Sequence, residues 1–291
     1  MGKSKGITLV LVVILASSLF FNIYQLISNL ELSEQKAALT VRQEMVNQLM
    51  HTKINVDNEL AKLDKALTSA CQKLSSLGLD GTQVRVVLSD LVDENALIIN
   101  AATADDKDIL IAVEPSSYNE IEGQDISDQE QNIWMHESML PEMSNMIPLV
   151  EGFPGVVMVA PIFDTNNKFM GSLSIVILPS QLINQSIAQP PEGTKLYQMW
   201  AMQSNGTLIY DPDPNQQGKN LLTAPEYAEY PEVQAFTQKV ADQQSGYSCY
   251  QYYDKPLDDD TKKVVTKEAY WMTVGVYGTE WRLVIWNILN P

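Results

Sequence analysis

The sequence is poor in the residues on which catalytic, metal-binding and nucleic-acid-binding sites depend. Its 291 residues include two cysteines and two histidines, and 19 Lys and Arg stand against 36 Asp and Glu, a formal net charge of −17. Two cysteines are too few for a disulfide framework or for a zinc site of cysteines and histidines. Nucleic-acid backbones are bound by clusters of Lys and Arg, which the sequence lacks, so we expect no nucleic-acid partner. We likewise assign no cofactor and no metal site.

The motifs of the common hydrolases are also missing. His136 opens the segment HESML, which lacks the second histidine of a zinc-protease helix, and His51 lies in a helical pattern where it is expected to face solvent. There is no Gly-x-Ser-x-Gly elbow. We therefore assign no catalytic residues and expect a protein that is not an enzyme. Carboxylate pairs brought together from distant positions leave no sequence pattern, and that alternative stays open.

What the sequence does have begins with an uncharged, apolar run from Gly6 to Leu30. A helix of about 20 apolar residues crosses a bilayer core, so this run predicts a membrane span. Lys3 and Lys5 precede the run and Glu31 follows it, which places the N-terminus in the cytoplasm by the positive-inside rule. We predict that residues 1–30 are a cytoplasmic stub and a single-pass signal anchor in the cell membrane, with the rest of the chain extracytoplasmic.

A cleaved signal peptide is the competing interpretation of this segment. Ala16, Ser17 and Ser18 are small enough for a cleavage site. The apolar run continues well past them to Ile27, which favours an uncleaved anchor. No second apolar stretch of spanning length follows, so we expect one membrane helix.

Residues 31–78 read as one long amphipathic helix, without proline and without glycine before Gly78. Two heptad positions form a seam in which ten of twelve residues are apolar. The seam residues are Leu39, Val46, Lys53, Leu60, Leu67 and Leu74 at one position, and Arg42, Leu49, Val56, Leu63, Ala70 and Leu77 at the other. Such a helix is roughly 70 Å long and packs along its length on a partner helix or on its own domain. A homodimer and a separate signalling partner are both open, and Gly78 is the expected C-cap.

The remaining chain predicts an α+β fold of two tandem PAS-like antiparallel-sheet modules, residues 79–189 and residues 190–291. In the first module, ALIINAA with DILIAVEP and GVVMVAPIFD with FMGSLSIVILP predict two hairpins. Ser127 and Glu130 form a capping-box pattern for a helix between them. The segment QPPEG marks the boundary. In the second module, Asn205 and Gly206 predict a type I′ hairpin turn, followed by a loop, a helix and further strands.

The acidic segment DPDPN, which follows this hairpin, resembles the start of a calcium loop. Asp211, Asp213 and Asn215 fit the first, third and fifth positions of an EF-hand, but Gln216 and Leu222 stand where glycine and glutamate are required. Prolines between the acids also restrict the backbone. The sequence therefore predicts a structural loop at the edge of a pocket rather than a metal site.

These segments together resemble the double Cache family, the extracytoplasmic PAS-like sensors of chemoreceptors and histidine kinases. SNGTLIYDPDPNQQGKNLL, GYSCYQYYD and KEAYWMTVGVYGTEWRLVIW look like the membrane-proximal module. VEPSSYNEIEGQDISDQE through VAPIFDTNNKFMGSLSIVILPSQLI is similar to the membrane-distal module. The resemblance implies a five-stranded sheet in each module, ligand binding mainly in the distal module and a signal carried along the long helix.

Amino-acid-binding members of the family carry an Arg-x-Trp-Tyr element, and here only Trp134 matches it, with Asn132 and Met135 at the other positions. The last distal strand, GSLSIVIL, offers no acid for a ligand amine, and Arg85 is the one arginine between Arg42 and Arg282. The resemblance thus implies a more apolar distal pocket for a small molecule, and the scarcity of arginine favours a neutral or cationic ligand over an anionic one. The ligand-binding candidates are Tyr118, Trp134, Met139, Phe153 and Phe163, for which ordinary core packing is the alternative.

In the proximal module, Trp200, Asp211, Tyr252, Tyr253 and Trp271 could form a second pocket, although aromatics at alternating strand positions favour packing. As a whole, the sequence predicts a membrane-anchored sensor or binding protein that signals through a separate partner and has no output domain of its own. The alternative is an extracytoplasmic structural or interaction protein that uses its modules as spacers.

Overall fold

The computed structural model describes residues 2–253 and 263–289, with the backbone alone for residues 2–19. The chain divides into two compact units, residues 1–47 and residues 48–291. Within the described residues, no helix combines the length and the apolar character that a membrane crossing requires. The predicted span at residues 6–30 includes residues 6–19, whose side chains lie outside the described part, and it stays a prediction.

The first element is the predicted long helix, α1 (Gly2–Leu77). From residue 48 onward its seam is buried in the second unit, and the buried residues are Leu49, Val56, Leu60, Leu63, Leu67, Ala70 and Leu74. The side chain of Asn55 donates to the carbonyl of Ser186 at 2.9 Å, and Oε1 of the Gln48 side chain accepts from the Tyr197 N–H at 3.1 Å. In this unit the helix therefore packs on its own domain. Gly78, at φ 88°, ends it as predicted.

The first sheet, which we call sheet 1, follows the helix α2 (Thr82–Asp93). Its strands are β1 (Ile98–Asp105), β2 (Leu110–Glu114), β3 (Glu142–Met143), β4 (Ile147–Pro148), β5 (Pro154–Phe163) and β6 (Phe169–Ile177). They pair antiparallel in the order β2-β1-β6-β5-β3, with β4 also on β5. Both predicted hairpins are confirmed, and the sheet has six strands rather than the five that the family resemblance implied. Two further helices, α3 (Glu130–Ser138) and α4 (Pro179–Ser186), belong to this region.

The predicted capping box of α3 is wrong. The N-cap is Gln129 rather than Ser127, and no side chain caps the helix. Glu130 instead accepts a hydrogen bond from the backbone N–H of Asn145 at 2.5 Å, and Asp125 accepts from the N–H of Ser127 at 2.9 Å. The Glu130 carboxylate therefore binds the backbone of Asn145, which is distant in sequence, and not the N-terminus of its own helix.

The second sheet, sheet 2, has the strands β7 (Gln198–Gln203), β8 (Leu208–Tyr210), β9 (Ser245–Tyr253), β10 (Val264–Val276) and β11 (Thr279–Ile288). They pair antiparallel in the order β8-β7-β11-β10-β9, and the helix α5 (Pro231–Asp242) packs on one face. The hairpin at Asn205 and Gly206 is present, but its predicted type I′ turn is wrong. That turn needs positive φ at both residues, and only Gly206, at φ 90°, has it.

Arg85 on α2 joins two acidic side chains of the sheet 1 region. Its guanidinium lies 3.4 Å from Glu114 and 2.9 Å from Glu122, so its charge is paired within the fold. We expect Arg85→Met to lower the free energy of unfolding by about 1 kcal/mol, because the aliphatic stem is kept while a partly exposed charge network is lost. Urea unfolding measures this loss, which should shrink at 1 M salt. An equal loss at both salt concentrations would contradict an electrostatic origin.

The two cysteines are free thiols. Cys71 is half-buried in α1, with its Sγ 3.9 Å from the Ala160 carbonyl, and burial raises the pKa of this thiol to about 12. Cys249 is exposed on β9. The Cys71 thiol is therefore protonated at neutral pH and has a packing role.

Candidate functional site

The alternation of side chains along sheet 2 places a set of aromatic and polar residues on one face. Trp286 on β11 pairs with Gln198 on β7 and with Ala269 on β10, while Lys267 on β10 pairs with Tyr250 on β9. Residues directly paired in a sheet share a face, and so do residues two positions apart in one strand. The residues of this face that line a cavity are Gln198, Trp200, Tyr250, Tyr252, Lys267 and Trp286.

The other walls of this cavity, which we call the sheet 2 pocket, come from α5 and from the two loops before it. Val233, Phe236 and Thr237 project from α5, and Leu221 and Tyr227 come from the segment that leads into it. The acidic loop closes one edge with Asp211, Pro212, Asp213 and Gln216. The enclosed volume is about 370 Å³, which is within the range of small-molecule sites.

The aromatic walls hold one another in place. Phe236 of α5 stacks on Tyr250 at a centroid distance of 4.2 Å and an interplanar angle of 13°. The same ring meets Trp200 edge-on at 6.2 Å and Trp271 edge-on at 5.9 Å. Such offset and edge-to-face contacts are favourable beyond the area they bury, so the pocket has preformed walls.

Asp211 is the acidic group of the pocket that burial affects most. Its Oδ1 accepts from the backbone N–H of Asp213 at 2.8 Å, and Asp213 in turn accepts from the N–H of Asn215 at 3.0 Å. Burial raises the pKa of the Asp211 carboxyl to about 6, and the neighbouring charge of Asp213 adds to this rise. The acids thus organise the loop backbone, and the predicted place of the loop at a pocket edge is confirmed.

Three further polar groups belong to the walls of the pocket. Within the described part of the chain, the hydroxyls of Thr237 and Tyr252 are buried without a hydrogen-bond partner. The ammonium of Lys267 lies 3.8 Å from the ring centroid of Trp286 and 5.5 Å from that of Tyr252, both cation–π distances. The pocket therefore combines apolar walls with a few fixed polar groups, the usual composition of a ligand site.

The five ligand-binding candidates of the first module are spread over its surface and its small cores. Tyr118 packs on the apolar cluster around Val113, and Phe153 packs on the separate cluster around Val157. Phe163 meets another ring, that of Phe169, at 6.0 Å. Trp134 is half-buried on α3, and Met139 is 40% exposed at the end of that helix.

Within the described residues, none of the five lines a small cavity that lies against sheet 1. That cavity, between Leu110, Ile121 and Val157, has a volume of about 20 Å³, which is room for one water molecule. The ligand role of the first-module set stays a prediction.

Four of the five residues considered for a second pocket do line the sheet 2 pocket: Trp200, Asp211, Tyr252 and Tyr253. Trp271 lies behind the wall, buried against Phe236. Sequence reasoning missed Lys267, Thr237 and Trp286. Extending the alternation from Trp271 to Lys267 along one strand would have found the lysine, whereas Thr237 has no sequence signal.

Comparison with known proteins finds similarity to sensor domains. Residues 58–179 match the family described as HK/GC/Chemotaxis protein-like, sensor domain. An extracellular ligand binding receptor from Desulfohalobium retbaense DSM5692 is 28% identical with a TM-score of 0.67, over 82% of this chain and 39% of that one. The chain thus spans well under half of that receptor's length. No curated protein matches the chain.

Two chemoreceptor structures are similar in fold. The ligand-binding domain of the Pseudomonas fluorescens chemoreceptor CtaA, in complex with L-serine, has a TM-score of 0.62 at 12% identity, over 86% of this chain and 98% of that one. The periplasmic sensory domain of a Campylobacter jejuni chemoreceptor has a TM-score of 0.55 at 14% identity, over 82% and 91%. At these identities the likeness concerns the fold.

Proposed function

We propose, from the premise that this chain is a sensor of the double Cache type, that it binds a small organic molecule outside the cytoplasm and passes this event to a signalling partner. The predicted span at residues 6–30 would anchor it in the membrane. The observation that carries the proposal is the sheet 2 pocket, with its volume of about 370 Å³ and its preformed aromatic walls. The solved receptor domain in complex with L-serine supports a ligand of small-molecule size.

The hydrogen bonds around sheet 2 support a route for the signal. The hydroxyl of Tyr277, in the turn between β10 and β11, donates to Asp64 of α1. Thr279 donates to the carbonyl of Met143 in sheet 1. A ligand that shifts the strands under the pocket would therefore move groups bonded directly to the long helix and to the neighbouring sheet.

Thermal unfolding of the purified full chain, against amino acids, amines, carboxylates, sugars and purines, tests ligand binding. A ligand at 100 times its dissociation constant stabilises the fold by about 2.7 kcal/mol, which raises the melting temperature by about 5–10 °C in a domain of this size. We expect Gln198→Trp, at the exposed rim of the pocket, to abolish the shift by filling the entrance. Trp134→Ala, in the first module, is the matched variant and should retain it.

A shift lost in Trp134→Ala and kept in Gln198→Trp would move the ligand to the first module, as the family resemblance implied. A folded protein that responds to no compound would favour the spacer interpretation instead.

A further inference from the structure

We infer that the sheet 2 pocket takes an organic cation, a protonated amine on a compact apolar body, with Asp211 as its anionic partner. This inference rests on the proposed function and adds the chemical class of the ligand. The observations that support it are the environment of the Asp211 carboxylate, the aromatic walls of the pocket, and the buried hydroxyls of Thr237 and Tyr252.

The carboxylate of Asp211 has little positive charge near it. Among the described residues its hydrogen bond comes from one backbone N–H, that of Asp213, which brings a second negative charge beside it. Burial and the charge of Asp213 both raise its pKa, and the lowering effect of Lys267 is the weakest of the four influences. A ligand ammonium would supply a charge partner for this half-buried carboxylate.

The aromatic walls suit a cation as well as an apolar body. The faces of tryptophan and tyrosine rings attract ammonium groups. One such contact is present in the pocket, where the ammonium of Lys267 lies 3.8 Å from the ring centroid of Trp286. The rings of Trp200, Tyr227 and Tyr250 line the remaining space. An anionic ligand would instead meet both Asp211 and Asp213 at the edge of the pocket.

The two hydroxyls point independently to a polar ligand group. Thr237 is fully buried and lines the pocket, and its Oγ1 has no hydrogen-bond partner within the described residues. The hydroxyl of Tyr252, on the opposite wall, is also buried and also lacks a hydrogen-bond partner within the described residues. Buried hydroxyls in native proteins are nearly always hydrogen-bonded, so a polar ligand group that reaches these walls would supply a missing partner.

A set of four compounds with the same aromatic body isolates the charge of the ligand. Phenethylamine is a cation, phenylalanine a zwitterion, phenylacetate an anion, and 2-phenylethanol is neutral. In isothermal titration of the full chain at pH 7.5, we expect phenethylamine to bind at least tenfold more tightly than the other three. Gln198→Trp should remove this binding, which assigns it to the sheet 2 pocket.

Three variants, two of acids and one of a threonine, complete the test. Asp211→Asn keeps the acceptor for the N–H of Asp213 and removes the charge, so we expect its dissociation constant for phenethylamine to rise by about 10- to 100-fold. Thr237→Val, which is nearly isosteric, should weaken it several-fold. Glu226→Gln removes a nearby charge that pairs with Lys219 outside the pocket, and we expect it to bind as the wild type does.

Tighter binding of phenylacetate, phenylalanine or 2-phenylethanol, sensitive to Gln198→Trp, would overturn the cation inference and leave the proposed ligand-binding function intact. A response to none of the four also overturns the inference as stated. If the wider compound panel gives no response either, the proposed function fails with it. Unchanged phenethylamine binding by Asp211→Asn would remove this carboxylate as the partner.

Discussion

Replacing Trp271 by alanine is expected to lower the free energy of unfolding by about 3–5 kcal/mol, the usual cost of removing a fully buried tryptophan. Its side chain is 1% exposed and lies behind the sheet 2 pocket, edge-on to Phe236. Its indole N–H donates to the carbonyl of Gln243 at 3.0 Å, so the ring also fixes the end of α5. A Cβ added at Gly246, on the neighbouring strand, would lie 2.3 Å from this ring, which shows how closely the two strands pack.

Urea unfolding of the full chain, followed by tryptophan fluorescence and circular dichroism, measures this loss. The matched control is Tyr270→Ala, one residue earlier on the same strand and on its other face, where the side chain is half-buried. We expect the control to lose less than half as much. Equal losses for the two variants would mean that Trp271 does not hold the core under the pocket. Because Phe236 and Tyr250 rest against this core, Trp271→Ala should also weaken any ligand of the pocket.

The parts of the fold that sequence predicted best are those with a local period. The seam of α1 was visible because its apolar residues recur at heptad spacing, and Leu49, Leu60 and Leu67 are indeed buried. The hairpins of both sheets were visible because apolar runs flank turn residues. The order of these parts also carried the resemblance to double Cache sensors. A sensor-domain family matches residues 58–179, and a solved ligand binding receptor is similar in structure.

Local detail was lost wherever a distant group decided it. Glu130 was expected to close a capping box with Ser127, yet it holds the backbone of Asn145, which no pattern around the helix reveals. Asn205 and Gly206 read as a type I′ turn, but the side chain of Asn220 donates to the carbonyl of Asn205 at 2.8 Å and binds the turn to a later segment. Local sequence indicates which caps and turns are favourable, but contacts with distant residues determine which one forms.

The site itself was the hardest part to predict, because a pocket depends on register between strands that are far apart in sequence. Trp286 and Gln198 are paired neighbours on the pocket face, and nothing in either segment specifies the other. Size and family resemblance single out the aromatic residues of the first module, but packing places Tyr118 and Phe153 on different clusters. Asp211 was recognised as unusual in sequence, but its burial among aromatic rings required the fold.

Asp211→Asn is expected to raise the melting temperature of the ligand-free protein at pH 8 and to have little effect near pH 4. The pKa of this carboxyl is raised from 3.8 to about 6, first by burial, so the charged form is disfavoured in the folded state. A raised acid pKa gives stability that is complete below the unfolded value of 3.8 and lost as the pH rises through about 6. Asparagine has no charge to bury, which avoids that loss.

The size of the gain at pH 8 is on the order of 1–3 kcal/mol, since the carboxyl keeps some contact with solvent. Scanning calorimetry of both proteins at pH 4, 6 and 8 measures it, and the difference between them isolates Asp211 from the other titrating acids. Glu226→Gln, an exposed change of the same charge, is expected to give no gain at pH 8, because a backbone hydrogen bond and Lys219 lower the pKa of this carboxyl rather than raise it.

A saturating organic cation should reverse this order at pH 8. The wild type gains the ion pair between Asp211 and the ligand, whereas the Asp211→Asn variant cannot form it, so the wild type becomes the more stable protein. If the variant is instead the less stable one without ligand at pH 8, the carboxylate is already compensated inside the free protein. Lys267, on the floor of the same pocket, would be the first group to test as the source of that compensation, and the inferred need for a ligand cation would be lost.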